Sequence, residues 1–168
     1  MAVTDPETPL RPGLLRPPKE LLSSSSHLLK RLGWLLKERA GGVYESTGSS
    51  PYHYAVLALL EEEPRETQAM IADALGYDRS HLVGLLDELE ERGLIERRRD
   101  PTDRRRHLVS LTPEGKKALS RLRGIAKRVD DDFLAPLDAE EREVLHGLLL
   151  RLIGHHEPRY ASPERPNE

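Results

Sequence analysis

Apolar residues recur every three or four positions over most of the chain, and the interruptions divide it into six predicted helices and one pair of strands. Leu21, Leu22, Leu28, Leu29, Leu32, Leu35 and Leu36 mark a first helix over Lys19 to Arg39, with Gly41 and Gly42 expected to end it. The run Ser23 to Ser26 sits awkwardly inside it, because serine competes for backbone hydrogen bonds and leaves the start uncertain. A second helix spans Pro51 to Glu62 and stops at Pro64. A third, from Gln68 to Leu75, has Thr67 as its N-cap and Gly76 as its stop. A fourth, from Arg79 to Arg92, is capped by Asp78 and turns Leu82, Leu85, Leu86 and Leu89 to one side.

The period then changes. Leu94-Ile95 and Leu108 to Leu111 alternate as short strands around the turn Asp100-Pro101-Thr102-Asp103, which predicts a β-hairpin with a long tip. Thr112-Pro113 opens a fifth helix, whose stripe is Leu119, Leu122, Ile125, Val129 and Phe133, and Pro136 breaks it. Asp138 to Glu141 forms a capping box for a sixth helix running through Ile153. The expected divisions are an extended or disordered arm over 1–18, a dimerisation helix and linker over 19–48, a winged helix-turn-helix over 49–112, C-terminal dimerisation helices over 113–157 and a flexible tail over 158–168. The fold class is mostly α with a small β-hairpin wing, plus a helical dimerisation layer.

Charge sharpens this picture. The net charge is −3, yet Arg97 to Arg106 holds six arginines and two aspartates, a local +4 on a body of −7. One basic segment on an acidic body predicts a focused anion contact. The helix–turn–helix order places the fourth helix to enter a major groove, which is about 12 Å wide and accepts one helix. Arg79, Ser80 and His81 in its first turn would face DNA, and the hairpin arginines would neutralise phosphates and reach the minor groove.

The stretch Thr67 to Gly115 resembles the MarR (multiple antibiotic resistance regulator) family. The residues that carry the resemblance are Leu89-Glu90-Glu91-Arg92-Gly93-Leu94-Ile95, Asp100-Pro101-Thr102-Asp103-Arg104-Arg105 and Leu108-Val109-Ser110-Leu111-Thr112, in this order and spacing. The resemblance implies a homodimer in which the first and last two helices interleave across a two-fold axis and two winged helices read a palindromic operator on double-stranded DNA. It implies that Arg104 enters the minor groove, with Asp103 and Arg105 bracing it. The DNA-contacting set is expected to be Thr67, Gln68, Arg79, Ser80, His81, Arg98, Asp103, Arg104, Arg105 and Arg106. It also implies repression relieved by a small aromatic effector held between the dimer helices and the winged helix, for which Trp34, His53 and Tyr54 are the candidates among the aromatic residues of the first two helices.

The sequence departs from the family at Val83 and Gly84, where relatives carry polar base-reading side chains, and at Met70, where a glutamate often completes the helix cap. The wing is then expected to carry more of the affinity than in typical relatives.

Other chemistries find little support. With no cysteine, thiolate metal sites and thiol redox sensing are excluded. The seven histidines show no ligand spacing, so no metal and no cofactor is expected. There is no phosphate loop and no nucleophile signature, which argues against an enzyme. No apolar run is long enough for a membrane helix, and the proline-bearing N-terminus lacks a signal-peptide core, so a cytoplasmic protein is expected. The alternative to a DNA-binding regulator is a winged-helix module for protein–protein contact, against which the arginine-rich hairpin speaks.

Overall fold

The helix expected over 19–39 is both interrupted and longer than its leucines indicate. A computed structural model describes residues 15–64, 66–103 and 106–160. Most of the expected arm, Arg104, Arg105 and the end of the expected tail lie outside them. The serine run splits the first helix into α1 (Lys19–Leu22) and α2 (Ser25–Glu45). Ser23 Oγ donates to the carbonyl of Glu20 at 2.9 Å, and Ser24 Oγ accepts from the amide of His27 at 3.3 Å. These serine contacts end one helix and cap the next.

Gly41 and Gly42 do not stop α2, contrary to expectation. Each glycine costs about 1 kcal/mol of helix propensity relative to alanine. Burial of Ala40 and Tyr44 on either side holds the last turn in place. Fully burying one large apolar side chain is worth about 1.5–3 kcal/mol, so packing overrides the propensity.

The central elements follow the sequence closely. They are α3 (Pro51–Glu62), a two-residue strand β1 (Glu66–Thr67), α4 (Gln68–Leu75), α5 (Arg79–Glu91), β2 (Ile95–Arg99) and β3 (His107–Leu111). Two helices complete the chain, α6 (Pro113–Phe133) and α7 (Ala139–His156), before a short 3₁₀ turn over Pro158–Tyr160. The sheet is antiparallel in the order β1-β3-β2, with Ile95 opposite Leu111, Arg99 opposite His107 and Thr67 opposite Leu108. Strand β1 went unpredicted because two residues carry no periodicity. It docks the start of α4 onto the hairpin.

The caps form as the residue types dictate. Thr67 Oγ1 accepts from the amide of Met70, Thr112 Oγ1 from that of Gly115, and Asp138 and Glu141 exchange hydrogen bonds at 2.9 Å each. Gly76, between α4 and α5, has φ +67°, the left-handed region that glycine adopts without a Cβ clash.

One core joins α3, α4, α5, the sheet and α6. Val56, Leu57, Leu60, Ile71, Leu82, Leu86, Leu89, Ile95, Val109 and Leu119 are almost wholly buried in it. Helix α7 is different: none of its 18 residues is buried. Val144, Leu148, Leu149, Leu150, Leu152 and Ile153 are exposed, as are Leu21, Leu22, Leu28, Leu29 and Leu32 of α1 and α2. Beyond α7, Arg159 returns to the α4–α5 turn, donating to the carbonyl of Asp73 with its guanidinium over Gly76. Among the described residues, no helix is long and apolar enough to cross a membrane.

Candidate nucleic-acid interface

Asp78 begins α5 by accepting the amides of Ser80 at 2.9 Å and His81 at 3.2 Å, together with the Ser80 hydroxyl. These hydrogen bonds, led by that of the Ser80 hydroxyl, hold the Asp78 carboxyl below its ordinary pKa. The two amides are therefore engaged within the chain. Helix α5 meets any partner through side chains rather than through a bare N-terminus.

Arg79, in the first turn of α5, lines a surface groove of about 550 Å³. Thr67, Gln68, Ala69 and Met70 from the start of α4, Arg79, Leu82 and Val83 from α5, and Arg106 and His107 from the hairpin line it. The fold thus brings Thr67, Gln68, Arg79 and Arg106, far apart in sequence, to one surface. Ser80 and His81 are exposed in the first turn of α5 beside it. The His81 ring turns toward α3, edge-on to Tyr52 at 5.1 Å and to Tyr77 at 6.2 Å.

The hairpin arginines among the described residues do not form one uniform patch. Arg97 points inward, with its side chain 23% exposed. Its Nε donates to Glu90 Oε2 at 2.8 Å, its Nη2 to Asp87 Oδ1 at 2.6 Å, and its backbone amide to Glu90 Oε1 at 3.1 Å. Hydrogen bonding from Arg97 depresses the Glu90 pKa. This residue ties β2 to α5, a role the charge count could not separate from phosphate contact. Arg98 and Arg99 are exposed, with Arg98 Nη2 2.9 Å from Glu96 Oε2.

At the turn, Asp100 Oδ1 accepts from the Thr102 amide at 2.7 Å and hydroxyl at 2.6 Å, and Arg106 Nε lies 3.4 Å from Asp103 Oδ2. Arg104 and Arg105, the expected tip, are outside the described residues.

The three expected ligand residues separate. A cavity of about 940 Å³ lies among α2, the start of α3, Tyr77 and α6. Tyr54 lines it, with Tyr44, Tyr52, Tyr77 and Lys37. Trp34 instead lies exposed on α2 beneath the Arg31 guanidinium, 4.3 Å from the ring centroid. His53 is buried on the other side of α3, with Nε2 3.0 Å from Glu88 Oε2.

Helical geometry explains this separation, because successive residues point about 100° apart and His53 and Tyr54 face different neighbours. Four of the chain's five tyrosines line the cavity, a clustering that sequence spacing hides. Burial raises the pKa of Tyr44 and Tyr77, so both keep their hydroxyl protons at neutral pH. Rings and hydroxyls suit a flat aromatic molecule with polar substituents, and the charged residues on the lining are Lys37, Glu38, Glu45 and Asp130.

Comparison with known proteins places this arrangement. A family model described as MarR family matches residues 47–106, from just after α2 to the end of the hairpin turn. The chain is 40% identical over 116 residues to a putative transcriptional regulatory protein for the hcr operon of Thauera aromatica, spanning 69% of this chain and 70% of that one. The transcriptional repressor CouR bound to a 23-mer DNA duplex is similar in structure, with a TM-score of 0.75 and 32% identity over 83% of this chain and 99% of that one. CouR from Rhodococcus jostii RHA1 bound to p-coumaroyl-CoA gives a TM-score of 0.70 and 29% identity over 82% and 95%. The helix-turn-helix, the wing paired to it and the sequence identity across both agree: this chain belongs to the MarR family of transcriptional regulators.

Proposed function

We propose that two copies of this chain form a symmetric dimer that holds a two-fold operator and represses transcription until a small aromatic ligand releases it. The observation that carries the dimer is α7, a helix with six exposed large apolar side chains and none buried. Such a face is costly in water and is satisfied by an equivalent face on a second copy. The exposed leucines of α1 and α2 supply the rest of that layer. The two α5 helices of the dimer then enter successive major grooves, with half-sites about one helical turn, or 34 Å, apart.

In this reading Arg79, Ser80 and His81 address base edges. Thr67, Gln68, Arg98 and Arg106 hold phosphates, Asp103 braces the hairpin turn with Arg105, and Arg104 takes the minor groove. The effector occupies the tyrosine-lined cavity, its ring among Tyr44, Tyr52, Tyr54 and Tyr77. Ligand release of a repressor requires only that the ligand bind better to the geometry that does not fit DNA. The bound states of CouR, one with DNA and one with p-coumaroyl-CoA, support this division of labour.

The test is capture of genomic DNA fragments by the full-length protein, followed by mobility shift and sedimentation. The expected result is one dimer per two-fold site, with release by aromatic carboxylates or their CoA thioesters. Failure to enrich any sequence, or binding as a monomer, would overturn the proposal.

A further inference from the structure

The middle of α5 carries two residues that a solvated helix does not favour. Val83 is β-branched and 44% exposed, and Gly84 beside it is exposed too. A Cβ added at Gly84 would meet nothing within 4 Å, so no neighbouring packing requires the glycine. Val83 also lines the groove that holds Arg79, Met70 and Arg106. On α5 itself, Asp87 and Glu90 are held by Arg97, and the Ser80 hydroxyl is bonded to Asp78. Between the first turn of α5, which carries Arg79, Ser80 and His81, and the acidic end of the helix, the exposed side of α5 is an apolar side chain beside bare backbone.

The edges of base pairs in the major groove offer one apolar group, the C5-methyl of thymine. We propose that Val83 reads a thymine methyl in each half-site, and that Gly84 lets the helix backbone approach closely enough for this contact. The proposal rests on the reading above that α5 enters the major groove. It also fixes a position. Val83 follows Arg79 by four residues, about one helical turn or 5–6 Å, so the thymine lies within about two base pairs of the base that Arg79 touches.

Burying one methyl group changes affinity about fourfold, and two half-sites together about fifteenfold. The experiment uses full-length protein and operator duplexes selected from random-sequence DNA, with deoxyuridine replacing thymine one symmetric pair at a time. That replacement removes the methyl alone. One pair of positions is expected to weaken wild-type binding by about fifteenfold, and the same replacement to cost Val83→Ala less than about twofold. Gly84→Ala is expected to melt at a higher temperature, since alanine is the better helix former, and yet to bind the operator more weakly.

A selected operator bound equally well with every thymine replaced would overturn the proposal while leaving the operator reading intact. So would a penalty that persists unchanged in Val83→Ala. Unchanged affinity of Gly84→Ala would overturn the close approach. Failure to select any operator would overturn the underlying reading and this proposal with it.

Discussion

The ring of Tyr52 stands edge-on to the ring of His81, with centroids 5.1 Å apart and planes at 83°. Tyr77 completes a triangle, 5.4 Å from Tyr52. Tyr52 and Tyr77 line the cavity, whereas His81 belongs to the first turn of α5. The same rings thus border both the proposed effector and the proposed DNA-reading helix, and a ligand that shifts Tyr52 must disturb its contact with His81. Such contacts are worth about 0.5–1.5 kcal/mol each, enough to bias a two-state element without locking it. Operator affinity without effector, divided by that with effector, is expected to be roughly 5–150 for wild type and to fall toward one in Tyr52→Ala. Fluorescence anisotropy on a labelled operator measures both, and an unchanged ratio removes the ring triangle from the route.

The hairpin arginines are expected to fail in different ways. Arg97→Ala removes the tie between β2 and α5 and should cost roughly 1–2 kcal/mol of stability. It should also weaken operator binding while leaving the salt slope unchanged, because its guanidinium is held by Glu90 and Asp87. Arg106→Ala should leave stability nearly untouched and reduce the slope of log K against log salt by about one per protomer. Titrations of both variants at several salt concentrations distinguish the two roles. A reduced slope in Arg97→Ala would contradict the assignment.

His53 gives the chain a stability term that depends on pH. Burial is the main cause holding its imidazole pKa below the ordinary 6.5, and Arg92 and His81 add to this, while Glu88 pulls the other way. The folded group is therefore neutral where the unfolded group already binds a proton. Its contribution is fully present above about pH 6.5 and is lost as pH falls from there through the depressed folded value. The slope this adds is at most about 1.4 kcal/mol per pH unit. Urea melts between pH 5 and 8 should show a shallower acid-side decline in His53→Gln than in wild type. Parallel curves would show that the imidazole is not the group responsible.

The α7 face predicts its own failure. Leu148 and Leu152 are four residues apart on one side of the helix, both exposed in the single chain. Leu148→Glu with Leu152→Glu would place charges in the proposed dimer layer, where an unpaired charge is strongly unfavourable, and should weaken the dimer by roughly a hundredfold or more. The variant should sediment as a monomer with the helical content of its core intact, and should lose operator binding. A variant that remains a dimer would move the interface elsewhere.

Much of this architecture was legible in the chain, because the relevant signals are local. The boundaries of α3 and α4 follow from Pro51, Pro64, Thr67 and Gly76, each of which acts on the backbone within a few residues of itself. The caps at Asp78, Thr112 and Asp138 are of the same kind. Where local propensity and packing disagreed, packing won, as in α2 running past Gly41 and Gly42 to bury Tyr44.

By itself, then, the sequence determined the order of the main helices, the hairpin, the basic wing and the family, since each is written in neighbouring residues and fixed spacings. Only the tertiary structure decided how those residues are shared out. It turned Arg97 inward to α5 while leaving Arg98 in solvent, and it sent His53 to Glu88 while Tyr54 faces the cavity. Tyr44 and Tyr77, 33 residues apart, came to line one cavity, and Arg79 and Arg106 came to line one groove. The reason is that charge and aromaticity are properties of a residue, whereas the partner of each is set by the chain's long-range packing.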